Sequence, residues 1–432
     1  MILKLPLLLL ALCLHPLMCV AGLDENEKQM VSWVDEHAEE AIALLEQAVN
    51  ISSGTMNHEG VREVGGLFRS ELDQLGFDTE WIDMQSVNRA GHLIARRDGT
   101  RGRSMLLIGH LDTVFEAENG EQSFVRDGDF ATGPGIIDMK SGNVVIIYAL
   151  KALKEAGLLD AARLVVMFTG DEEKSGAPKS ISRAHLIEAG KWADVALGFE
   201  AGVSYDDTDW ATIARRSSTG FKLEVTGVQA HSSQIFREDI GAGAIFEISR
   251  ILAEFYSALK GEELLTFNVG AITGGTVVEY DVEQNRGSAF GKSNVVPNIA
   301  IAQGGIRTIT VEQLERTRSA MRAIVADHLP QTHATISFTD GYPPMSPTDG
   351  NRNLQEQFSS INVDLGRGPM PALDPGRRGA ADISFVAPYT DALAGLGALG
   401  EGGHTPHESL RLDSIALATK RAAIMIYRLS QD

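Results

Sequence analysis

The chain has 432 residues, 44% of them apolar, and a formal net charge of -20. That length exceeds one ordinary domain and predicts two, one of them interrupted by an insertion. The acidic balance argues against nucleic-acid and anionic-membrane partners, which need a basic surface, and 44 glycines suit a loop-rich α/β architecture better than a helical bundle.

Lys4 precedes an apolar run over 5–14, and Cys19 and Ala21 place small residues at the -3 and -1 positions of a cleavage site. Residues 1–21 therefore read as a secretory signal peptide, cut after Ala21, and predict a periplasmic or secreted protein. The run is too short to span ~30 Å of hydrocarbon, and Met18 before Cys19 makes a poor lipidation box. Both cysteines, Cys13 and Cys19, lie in this leader. The mature chain then has no disulfide, thiolate ligand or cysteine nucleophile, so any transition metal must be held by His, Asp and Glu.

Helical periodicity runs over 27–49 and again over 61–75, where Gly76 closes the helix. Apolar strands at 92–96, 104–108, 164–168 and 195–199, with a helix over 140–156 between the second and third, predict a covered, largely parallel sheet with helices on both faces. The pattern then changes. A strand at 221–225, a helix over 241–260, strands at 265–272 and 299–308, a helix over 311–327 and a strand at 334–338 follow the order of a ferredoxin-like module. Helix-and-loop character returns from 343 onward. The predicted organisation is one α/β domain in two parts, 22–212 and 341–432, interrupted by an α+β module over 213–340.

Acids and histidines concentrate just after the predicted strands, where open α/β sheets gather their ligands. Gly109-His110-Leu111-Asp112 follows the strand at 104–108. His110 can offer one ring nitrogen to a metal while Asp112 holds the other, although His-x-Asp alone fits a structural histidine better. Gly133-Pro134-Gly135-Ile136-Ile137-Asp138 makes a tight turn into a helix, and Asp138 reads either as a helix N-cap or as a carboxylate bridging two cations. Asp171-Glu172-Glu173 follows the strand at 164–168. Consecutive carboxylates at a buried strand end need a cation or a proton, whereas in a solvated loop they need neither. Phe199-Glu200 and the glycine-rich run Gly402-Gly403-His404-Thr405-Pro406-His407-Glu408 complete the set, with His407 as a rival to His404. Together these segments supply His110, Asp138, Glu173, Glu200 and His404, with Glu172 to spare. Imidazole nitrogen and carboxylate oxygen suit Zn²⁺. If Asp138 bridges two ions about 3.5–4 Å apart, each ion keeps one His and one further carboxylate.

The order and wording of these segments resemble the zinc metallopeptidase family that includes glutamate carboxypeptidase, aminoacylases, acetylornithine deacetylase and succinyl-diaminopimelate desuccinylase. Ser53-Gly54-Thr55, Gly227-Val228-Gln229-Ala230-His231 and Asn294-Val295-Val296-Pro297 extend the likeness over the mature chain. The resemblance implies a zinc-peptidase-like catalytic domain with a mixed sheet, interrupted by a ferredoxin-like lid and dimerisation domain. It implies two Zn²⁺ per subunit, His110 and Glu200 on one, Glu173 and His404 on the other, and Asp138 between them. Glu172 is then the general base and acid, and Asp112 orients His110. His231, often working across the dimer in that family, binds the scissile carbonyl or the substrate carboxylate, which Arg307 and Asn294 also help to hold. Arg307 follows Gly304-Gly305-Ile306, without the acid many members place there. Glu200, rather than Asp, and the leader resemble exported glutamate carboxypeptidases.

These roles imply hydrolysis of an amide next to a free carboxylate in a small peptide. The same site would serve an N-acyl-amino-acid amidohydrolase. A non-catalytic zinc protein would have no need of Glu172, and no Gly-x-Ser-x-Gly elbow supports a serine hydrolase.

Overall fold

The computed structural model describes residues 22–116, 123–281 and 286–431, so the leader over 1–21 lies outside the described residues. A six-stranded sheet forms the centre, in the order Asp78–Ile82, His92–Arg97, Ala162–Thr169, Arg101–His110, Val195–Gly198, Asp391–Ala394. The last four strands run parallel. The first two pair antiparallel with their neighbours, so the sheet is mixed rather than largely parallel. Residues 83–91, with the single 3-10 turn Gln85–Val87, carry the chain from Asp78–Ile82 back along its neighbour His92–Arg97, and a crossover helix is needed only between parallel strands.

Both faces of this sheet are covered, which explains the near-continuous apolar strands. Met105, Leu107, Leu164, Val166, Phe168, Val195 and Leu197 face a large core beneath the helices His58–Gln74, Ser141–Glu155 and Asp413–Leu429. Leu106, Ile108, Val165, Met167 and Ala196 face a smaller core with Leu186, Ile383 and Val386. The helix expected over 27–49 is two, Glu25–Glu36 and Ala38–Val49. His37 leaves helical geometry between them, and its ring binds the Trp33 carbonyl at 2.8 Å while stacking on the indole.

A second, four-stranded antiparallel sheet lies in the order Thr266–Gly275, Ile299–Arg307, Thr219–Gly227, Thr332–Asp340. Helices Ala244–Leu259 and Val311–Ala326 cover one face and enclose a separate core of Phe221, Leu223, Val225, Ile248, Ile251, Phe255 and Met321. A hairpin, Val277–Asp281 with Arg286–Phe290, extends this module and has no counterpart in the sequence reading. Among the described residues, no helix is long and apolar enough to cross a membrane.

Candidate metal centre

His110 ends its strand, Asp171–Glu173 follow the strand ending at Thr169, and Glu200 follows the strand ending at Gly198. These three strands are parallel, so their carboxyl ends deliver all of these side chains to one edge. Asp138 arrives from the turn Ile136–Lys140, in non-helical geometry rather than as an N-cap. Gly135 at φ 70 permits that turn, since a Cβ there would lie 2.3 Å from the Thr113 side chain. The buried Glu408 carboxylate accepts the N–H groups of Gly135, Ile137 and Asp138 at 3.0, 2.7 and 2.9 Å and so fixes the turn.

The Asp138 carboxylate lies between two imidazoles, Oδ1 3.1 Å from His110 Nε2 and Oδ2 3.0 Å from His404 Nε2. Glu173 Oε2 stands 3.3 Å from the same His404 nitrogen. Ligating atoms of His110, Glu172 and Glu173 lie within 4.8 Å of one another, and so do those of Asp138, Glu173 and His404. Asp112 is fully buried. Its carbonyl meets His110 Nδ1 at 3.0 Å, with carboxylate Oδ1 at 3.6 Å. The carboxylate mainly accepts Thr55 Oγ1 at 2.6 Å and the N–H groups of Glu172 and Glu173 at 2.9 and 3.1 Å, so Asp112 ties the two histidine- and glutamate-bearing segments together.

This donor set fits divalent cations. Glu173 Oε1 is buried without a hydrogen-bond partner, and the two overlapping groups share Glu173. Burial opposes charge on His110, yet contacts with Asp112 and Asp138 outweigh it and push its pKa well up. His404 is pushed up to about 10 by its contacts with Asp138 and Glu173. Burial raises both Glu172 and Glu173, and Glu200 adds to the effect on Glu172. The converging carboxylates that raise both imidazoles are a concentration of negative charge that a dication of the imidazole–carboxylate class would neutralise.

Glu200 stands beside His110 in the lining of one small cavity, but it is not in either close group. Its carboxylate engages Arg215 at 2.5 Å and lies 3.9 Å from Arg378. His407, the rival histidine, is likewise outside both groups.

The three inserted-module residues are exposed and do not converge. His231 and Asn294 are neighbours: His231 bridges Val295, and Ser232 N–H donates to the Asn294 carbonyl at 2.9 Å. Arg307 sits at the opposite end of Ile299–Arg307, a nine-residue strand, and so roughly 25–30 Å away. The Arg307 end adjoins the central-sheet domain, where a Cβ on Gly379 would lie 4.0 Å from Arg307.

A sequence model for "Peptidase family M20/M25/M40" matches residues 106–428. The chain belongs to that family. It is 26% identical over 367 residues to carboxypeptidase G2 of Pseudomonas sp. (strain RS-16), covering 84% of this chain and 83% of that protein. It is 25% identical over 390 residues to succinyl-diaminopimelate desuccinylase of Gluconobacter oxydans, covering 88% and 94%. In fold it is similar to an aminopeptidase from Bacillus cereus (TM-score 0.70, 16% identity, 91% and 98% covered). It is also similar to a Bacillus subtilis protein described as a dinuclear metal binding peptidase from the M20 family (TM-score 0.62, 16% identity, 92% and 99% covered). The protein is thus an M20-family hydrolase of the peptidase or amidohydrolase kind.

Several residues of this M20 site escaped the sequence reading. Glu408 stood at the end of the His404 segment but had no assigned role. Arg215 and Arg378 gave no signal in their polar surroundings. Both are largely buried, and burial together with the Arg215 charge brings Arg378 down to about 10. Beneath Glu172, the fully buried Arg183 binds Asp171, Asp382 and Tyr342, a network whose members are far apart in sequence.

Proposed function

We propose that the protein is an exported two-zinc exopeptidase that cuts the amide bond next to a free C-terminal carboxylate, releasing an amino acid such as glutamate. The observation that carries this reading is the Asp138 carboxylate between His110 and His404, with Glu172 and Glu173 beside it. His110, Asp138, Glu173 and His404 would hold the ions, and Glu200, which lines one small cavity with His110, would join them by exchanging Arg215 for a cation. Bound zinc lowers the pKa of water toward neutrality and polarises a carbonyl. Glu172, whose burial favours the protonated form, accepts a proton from the attacking water and delivers it to the leaving amine.

His231 supplies a donor to the developing oxyanion, and Arg307 grips the substrate carboxylate bidentately. His231 and Asn294 sit at the end of their strands remote from Glu172 of the same subunit, while Arg307 sits at the near end. The reading therefore makes the inserted module a lid in a homodimer, with His231 and Asn294 serving the neighbour's site. The likeness to carboxypeptidase G2 supports the peptidase activity, and the apolar run before Ala21 supports export. A second reading, an N-acyl-amino-acid amidohydrolase, is favoured by the desuccinylase relatives.

The test loads the mature chain with Zn²⁺ and compares kcat/KM on C-terminal glutamyl dipeptides with that on N-acetyl and N-succinyl amino acids. At least tenfold preference for the dipeptides is expected. The reverse preference moves the assignment to the deacylase. Zinc binding without turnover of either panel contradicts both.

A further inference from the structure

The chain leaves the catalytic domain and returns to it side by side. Arg215 and Met345 exchange two backbone hydrogen bonds at 2.9 Å, Ser218 N–H donates to the Tyr342 carbonyl at 2.9 Å, and Thr219 pairs with Asp340 as the second sheet begins. The crossing is therefore a two-stranded antiparallel ribbon, continuous with Thr219–Gly227 and its edge neighbour Thr332–Asp340 in the lid sheet. It is tightly drawn: a Cβ at Gly341 would lie 2.0 Å from the Ser218 carbonyl oxygen.

Tyr342 is the point where this ribbon touches the catalytic machinery. Its hydroxyl donates to the Glu172 main-chain carbonyl at 2.7 Å and accepts from Arg183 Nη2 at 2.8 Å. Its ring packs edge-on against Phe385, centroids 4.9 Å apart. Arg183 in turn holds the Asp171 carboxylate at 2.5 Å, the Asp171 carbonyl at 3.0 Å and Asp382 at 2.8 Å. The Glu172 segment is thus held from two sides. Asp112 takes the N–H groups of Glu172 and Glu173, and Tyr342 takes the Glu172 carbonyl. Only the second hold is anchored in a segment that any rotation of the lid must twist.

We infer that Tyr342 is a positioning residue that couples lid orientation to the placement of Glu172, so that the base is correctly set only when the ribbon holds the lid in its closed orientation. This rests on Glu172 acting as the base and on the module acting as a lid. A hydroxyl held only for folding would contribute to stability and metal retention; a coupling hydroxyl acts on turnover with both unchanged.

The test is Tyr342→Phe, which keeps the ring and removes only the hydroxyl. The expected result is a fall in kcat of about tenfold, the scale of one lost hydrogen bond in the transition state, with KM within about twofold and zinc content unchanged. Hydrogen exchange of the peptide 169–176, measured without substrate, is expected to quicken. Phe385→Leu, which loosens the ring and leaves the hydroxyl, is expected to shift both readouts the same way by a smaller factor, about threefold in kcat, and it serves if Tyr342→Phe does not fold. Unchanged kcat and exchange overturn the inference. So does a loss of turnover that merely tracks loss of zinc or of folded protein. A wild-type protein that hydrolyses no amide refutes the proposed activity instead, and exchange at 169–176 still decides whether Tyr342 holds the Glu172 segment.

Discussion

The carboxyl edge of the central sheet and the His231 end of the inserted module's sheet are built differently. Asp112, Asp138, Glu173 and His404 each have at least one partner within hydrogen-bonding distance inside the site, and Glu408 and Arg183 hold the segments that carry them. His231 is exposed, and among the described residues its ring hydrogen-bonds only with Ser233 two residues away, at 2.8 Å. Preorganisation matters most where charge develops during reaction, and a group that must approach the substrate cannot be locked beforehand. One region is preorganised and the other is left free, which on the proposed function suits a site that holds cations and a base in place and a module that contributes contacts only when substrate and neighbour are present.

The comparison breaks most severely at Asp138. Asp138→Asn removes the carboxylate charge shared by both imidazoles, and turnover is expected to fall at least 1,000-fold, on the order of two or more lost electrostatic contacts, together with loss of bound zinc on dialysis. Retained zinc with retained activity would show that the centre does not depend on this bridge.

His231→Ala is expected to lower kcat about 100-fold while zinc content and melting temperature barely change, because its exposed ring caps only the short turn Ser232–Gln234 in its own subunit. Mixing and re-equilibrating His231→Ala with Glu172→Gln subunits sharpens the point. If His231 works across the dimer, random reassortment restores about a quarter of wild-type activity, one competent site in each of the mixed half of the dimers. No recovery would place His231 in its own subunit's site.

Glu408→Ala strips the acceptor from three backbone N–H groups. It is expected to destabilise the fold by about 3 kcal/mol in denaturant melts and to weaken zinc binding through the loosened Asp138. Wild-type stability would deny Glu408 its bracing part. A further expectation concerns pH. His404 is raised to about 10 and His110 also lies above its ordinary value, so both hold protons that a cation must displace. The apparent zinc affinity is therefore expected to fall steadily from pH 8 to pH 5, measured by competition with a chelator of known pH dependence. A flat profile would exclude these histidines as ligands.

Much of the clustering was legible because it is written in short segments at strand ends: each of His110, Asp138, Glu172, Glu173 and His404 is ambiguous in its local context, and only their joint order and the family resemblance singled them out, as side chains that the structure does bring together. The ferredoxin-like order of the inserted module was equally plain, since its strands and helices alternate with clear periodicity. What the sequence hid depends on distant pairing. The two antiparallel strands of the main sheet follow from a turn, not from composition. Arg183 meets Asp382 across 199 positions and Arg215 meets Glu200 from a different segment, and no spacing rule links them. Asp112 appeared as the partner of His110, yet its carboxylate is chiefly engaged with Thr55 and the backbone of Glu172 and Glu173, because a nearby main-chain carbonyl already receives the ring.

The measurement that tests the central claim most directly is turnover of a C-terminal glutamyl dipeptide by Glu172→Gln beside wild type, with zinc content determined on the same samples. The account predicts zinc near two per chain in both proteins and at least 1,000-fold slower turnover in the variant. Undiminished turnover in Glu172→Gln would contradict it.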